Sequence, residues 1–203
     1  MQSAAPALHL RRPLLWGLLG LALLALGLLS AQPLSPEGRF ALKMIPHHAQ
    51  AVELARILER RAADQNLRYF ARDVAQTQQA QINQMRGWLP WWRQLTIGLE
   101  RPGAQAAAAM GMASAQEVAE LLAMQGPAAE THFLQLMIRH HQGALPMIER
   151  GLAEVTSEGL PRRLIEAMGQ SQAAEIQTMQ RWLAERGGQP LPFDPNAMPN
   201  HGH

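Results

Sequence analysis

The chain has 203 residues and no cysteine, so disulfides, thiolate metal sites and cysteine nucleophiles are excluded. Eighteen basic residues face sixteen acidic ones, and Arg11 and Arg12 are the only charges before Glu37. Beyond Ala31 the formal balance is therefore zero, and the basic face that nucleic-acid binding needs is missing. Ala, Leu, Gln, Glu and Arg dominate over strand-prone residues, which favours an all-α fold.

Arg11 and Arg12 precede an uncharged stretch, residues 14–29, rich in Leu, Ala and Gly. At ~1.5 Å per residue it falls somewhat short of the ~30 Å hydrocarbon core. It reads as a signal peptide ending near Ala31 or as a single transmembrane anchor. Either way the arginines stay inside and the rest is exported, to the periplasm, to the extracellular side or to the outer face of a membrane.

The first long helix starts at Ser35-Pro36-Glu37, with Ser as cap and Pro at the first helical position. Phe40, Met44, His47, His48, Ala51, Ala55 and Leu58 form its apolar stripe, and Pro46 is expected to bend it. Asp64-Gln65-Asn66 is a turn and cap. The second helix carries Phe70, Val74, Gln78, Ile82, Met85 and Leu89 and stops by Pro90. A Gly- and Ala-rich connector, 96–129, holds a capping box at Ser114 and Glu117 and hence one short helix. Gly126-Pro127 opens the third long helix, with Phe133, Met137, His140, His141, Ala144 and Ile148 on its stripe. The fourth carries Ile165, Met168, Gln172, Ile176, Met179 and Leu183, and stops at Gly187-Gly188. Residues 187–203 read as a disordered tail.

Two blocks occur twice. Phe40-x-x-x-Met44-Ile45-x-His47-His48-x-x-Ala51 repeats as Phe133 to Ala144. Gln78-x-x-x-Ile82-x-x-Met85-x-x-Trp88-Leu89 repeats as Gln172 to Leu183. The chain is thus two helical hairpins, 37–95 and 130–186. One hairpin cannot bury its own stripe; two close into a four-helix bundle with a long crossover.

These paired blocks resemble domain-of-unknown-function family 305 across residues 37–186. The resemblance implies a ferritin-like fold, export, and for some members periplasmic copper binding with a part in copper tolerance. Glu37 and Glu130 stand where the family usually has Asp. The acid that usually precedes the Ile of the second block is kept as Glu175 and replaced by Gln81.

Met44 lies one helical turn before His47 and His48, and Met137 before His140 and His141. Met85 and Met179 come from the partner helices. Thioether with imidazole, without thiolate or clustered carboxylates, suits copper and Cu(I) above all. Gln78 and Gln172 are candidates to hold the imidazoles from behind. Affinity should fall as pH drops through the histidine pKa. The opposing reading is structural: a Met on a helical stripe is usually core filler, and adjacent histidines point ~100° apart. Met110 with Met112, and Met198 with His201 and His203, are weaker metal candidates. Trp91 and Trp92 could meet a membrane or a partner.

Three functions follow. One is an exported copper-binding protein for storage, buffering or tolerance. The alternative is a non-enzymatic envelope interaction or sensing module with structural histidines, its protein partner unidentified. A di-iron oxidase ranks last, because no Glu lies three residues before a paired histidine. No nucleophile–base pair or phosphate loop is present, so no enzymatic activity is expected.

Overall fold

The computed structural model describes residues 15–21, 24, 33–99 and 101–194, and the described residues contain helices, turns and coil but no strand. Residues 15–21 are helical and belong to a first compact unit, Met1–Leu34. No helix among the described residues is long and apolar enough to cross a membrane. Half of the 14–29 segment lies outside the described residues, as do Met198, His201 and His203.

The second unit, Ser35–His203, holds seven helices among its described residues. The long ones are α1 (Pro36–Arg61), α2 (Gln65–Arg86), α6 (Gly126–Glu154) and α7 (Leu160–Glu185). Three short helices lie between α2 and α6: α3 (Trp91–Thr96), at the end of the first repeat, and α4 (Ala104–Ala109) and α5 (Ala115–Ala123), two in the connector where one was expected.

Local chemistry sets the helix ends. The Ser35 hydroxyl accepts from Gly38 N at 3.1 Å, and the Asp64 carboxylate from Asn66 N at 2.8 Å. At Ser114 the capping box closes, with Glu117 N donating to its hydroxyl and Ser114 N to the Glu117 carboxylate. α2 ends at Arg86, before the expected stop, and Pro90 instead opens α3. α7 ends in a Schellman motif: Gly187 takes φ +69°, and Gly188 N donates to the Leu183 carbonyl at 3.0 Å. α1 and α6 run through Pro46 and Pro146 without a break.

Neighbouring long helices are antiparallel. Arg72 pairs with Glu59 between α2 and α1, and Arg39 near the start of α1 pairs with Glu154 at the end of α6. Arg162 of α7 donates to the Leu152 carbonyl of α6. Phe70 of α2 meets Trp182 of α7 edge-on at 5.2 Å between centroids, and Arg186 bridges to Asp64 and Glu130. The two hairpins so meet along α1–α6 and again at Phe70–Trp182. α2 and α6 point the same way, which is why the chain needs a long crossover.

The apolar stripes form one core, in which Met44, Leu54, Leu58, Phe133, Leu136 and Met137 are fully buried. Each large apolar side chain removed from water contributes roughly 1.5–3 kcal/mol. After α7 the chain does not simply leave the fold: Gln189 O accepts from Gln135, and Leu191 packs against the core.

Candidate metal centre

α1 and α6 cross where the two histidine pairs sit. All four imidazoles and all four predicted thioethers, Met44, Met85, Met137 and Met179, are fully buried. The rings of His47 and His140 lie against each other, centroids 3.8 Å apart. His48 and His141 point away from that contact toward their own hairpin partners, at 6.4 and 6.0 Å from His47 and His140. The ~100° between successive helical residues produces this division.

Each imidazole is held by Nε2. His47 donates to the Met110 carbonyl at 3.0 Å, and His140 to the His47 carbonyl at 3.0 Å. His48 donates to Gln81 Oε1 at 2.8 Å, and His141 to Glu175 Oε2 at 2.7 Å. Carbonyl and carboxylate oxygens only accept, so in the neutral rings the proton sits on Nε2. That leaves four Nδ1 lone pairs, and every one is buried without a hydrogen-bond partner.

Burial also keeps the rings of His47, His48 and His140 neutral. It lowers the pKa of His47 to about 4, against a smaller upward pull from the Met110 carbonyl. It lowers that of His48 to about 3, with His47 adding repulsion. His140 is pushed well below 6.5 by burial and then by its histidine neighbours. Burial alone would raise the Glu175 carboxyl, but the His141 and Ser171 hydrogen bonds outweigh it and hold it low.

The expected supports for the histidines are corrected here. Gln78 and Gln172 are buried but do not reach the imidazoles; Gln78 Oε1 and both amide atoms of Gln172 lack partners. The residues three positions on, Gln81 and Glu175, do that work. The sequence signal was present, since these are the positions of the acid before the Ile. The Met110 carbonyl was not legible, because it arrives from the connector.

That connector segment is clamped across the site. Gln50 brackets Ala113 with two hydrogen bonds, of 2.7 and 2.8 Å, and Arg139 pairs with Glu117 at 2.8 Å. Gly111, at φ +70°, and Gly143 let the backbones touch. A Cβ on Gly143 would lie 1.9 Å from the Met110 carbonyl oxygen, and one on Gly111 2.2 Å from that of Arg139. Met110 is half-buried and Met112 buried within this strap.

The buried donor set is soft, made of imidazole nitrogens and thioethers. Unprotonated nitrogens and thioethers are on hand, while no group of three His, Cys, Asp or Glu among the described residues could hold an ion by itself. No carboxylate cluster of the di-iron kind stands among the described residues.

Solved structures share the fold. A DUF305 protein from Streptomyces coelicolor is 36% identical, covering 78% of this chain and 98% of its own, with a TM-score of 0.65. A DUF305 fragment from Deinococcus radiodurans is 35% identical, covering 75% and 99%, also at 0.65. CopM in its Cu(I)-bound form is 26% identical, covering 75% and 98%, at 0.55. Comparison with curated proteins returns no match. The repeated hairpins that carry these histidines are the same stretch that the family model of a domain of unknown function, DUF305, matches over residues 37–183, and the chain belongs to that family.

Proposed function

We propose that the protein is an exported copper-binding protein that stores, buffers or confers tolerance to Cu(I), without catalytic turnover. The observation that carries this reading is the set of four buried Nδ1 atoms without partners. A buried acceptor left unpaired costs about 1–3 kcal/mol, and four at one helix crossing call for a cation. His47 and His140, whose rings are in contact, would hold an ion together with the thioethers of Met44 and Met137 one turn away, and His48 and His141, turned toward their own hairpins, would add ligands with Met85 and Met179 from the partner helices. Copper would supply no chemistry here beyond being held. CopM, known with Cu(I), lends the reading support from a related fold. Export draws on the Arg11-Arg12 start, on the apolar stretch behind it, and on the Streptomyces relative, named as a presumed secreted protein.

A second reading, a non-enzymatic envelope interaction module with structural histidines, has its own observation: each Nε2 already has a structural partner. Anaerobic Cu(I) titration of the full chain against a chromophoric chelator separates the two. The parent should compete for Cu(I). A variant with all four histidines changed to Ala should not. A variant with Met44, Met85, Met137 and Met179 changed to Leu conserves volume and keeps the fold while weakening binding. A parent that never competes with the chelator would leave only the structural reading.

A further inference from the structure

A cavity of about 420 Å³ opens between the first half of α1, the last turns of α6 and the connector; no histidine lines it, although Pro46 and Met110 beside His47 do. Its volume falls within the ~300–1,000 Å³ of small-molecule sites. Its walls are largely apolar, built from Phe40, Leu42, Pro46 and Met147 with the α4 alanines. Around them stand Arg39, Lys43, Arg101 and Arg150, against a single carboxylate, Glu154. Glu154 is spent on Arg39 at 2.8 Å. Lys43 and Arg101 are exposed and make no hydrogen bond or ion pair among the described residues.

Such an excess of positive charge repels a metal cation, so the cavity is a poor entrance for copper. It suits the opposite ligand. We propose that the cavity binds a single-chain amphiphile with an anionic head, its chain along Phe40 and Met147 and its head between Lys43 and Arg101. Each methylene buried there should be worth about fourfold in affinity. The anionic head could be a carboxylate or a phosphate, and the two share this chemistry.

The test is carbon-13 NMR of carboxyl-labelled dodecanoate with the full chain in phosphatidylcholine nanodiscs, protein-free nanodiscs serving as blank. A bound carboxyl resonance is expected in the parent and not in the blank. Excess dodecyl phosphate should displace it at least tenfold more effectively than dodecanol or acetate. If dodecyl phosphate displaces at concentrations below that of dodecanoate itself, the natural head is a phosphate; if only above, a carboxylate. The double variant Lys43→Glu, Arg101→Glu touches exposed positions and leaves the core alone, and should lose the resonance with helicity retained. Ala106→Phe, also exposed, should fill the cavity and lose it too. The proposal fails if no bound resonance appears, if dodecanol displaces as well as dodecyl phosphate, or if charge reversal leaves the signal unchanged.

Discussion

His140 donates from Nε2 to the backbone carbonyl of His47 at 3.0 Å while the two rings stack 3.8 Å apart. One histidine from each repeat is thereby tied to the other across the α1–α6 crossing. If copper binds as proposed, the repeats share one centre. His47→Ala and His140→Ala should each cost about 1–3 kcal/mol of stability. The double variant should cost less than their sum, by about 1 kcal/mol of coupling. In Cu(I) titrations each single variant should remove the same equivalent, and the double no more. Additive losses in both assays would mean two independent sites.

Burial of neutral imidazoles makes stability depend on pH. The unfolded chain takes up a proton on each histidine near pH 6.5, whereas folded His47 resists until about pH 4 and His48 until about pH 3. Between those limits the unfolded state binds more protons, so stability is full above pH 6.5 and is lost as pH falls. For His47 the total loss is on the order of 3 kcal/mol. Urea titrations of the metal-free protein should show about 2 kcal/mol lost between pH 7.5 and pH 5 for each of His47 and His48. The quadruple Ala variant, if folded, should be much flatter. The same shift puts the expected fall in copper affinity at His47 and His48 below the ordinary histidine value.

Glu175 and Gln81 occupy matching positions behind His141 and His48, yet only one is a carboxylate. A carboxylate behind an imidazole raises its basicity and its hold on a metal, and such partners are typically worth 10–100-fold. Glu175→Gln should weaken Cu(I) binding about tenfold. Gln81→Glu should tighten the hold of His48 on the ion by a similar factor. Chelator competition on both variants reads this directly. No change in either would reduce Glu175 to a structural partner of His141.

The long helices, their caps and the doubled hairpin were legible because short-range chemistry fixes them: Ser35, Asp64, Ser114 and the stripe periodicity act within a few residues. All eight predicted metal residues proved buried for the same reason, since they lie on stripes that must face inward. What failed was the rotation of side chains within a stripe. Gln78 and Gln81 are both buried, and only the angle at which α2 meets α1 decides which reaches His48. The Met110 carbonyl contact was hidden for another reason: it depends on the path of a long connector, the partners standing 63 positions apart.

That connector contact yields a last expectation. The strap bearing Met110 can approach α6 only because residue 143 has no side chain. In the first repeat the matching position is Gln50, which grips the strap from the other side at Ala113. The doubled sequence is thus unequal where the strap crosses, and Gly143 is the residue that makes room. Gly143→Ala would place a carbon 1.9 Å from a backbone oxygen, which cannot swing aside as a side chain could. The strap must lift, at a cost of about 2 kcal/mol, or roughly 5 °C in Tm for a domain of this size. His47 would then lose its Met110 acceptor, and its Nε2–H would exchange with solvent faster in nitrogen-15 NMR. Gly103→Ala, in the same connector but with nothing within 4 Å of the new carbon, should change neither reading. Equal behaviour of the two variants would show that the strap is not what seats His47.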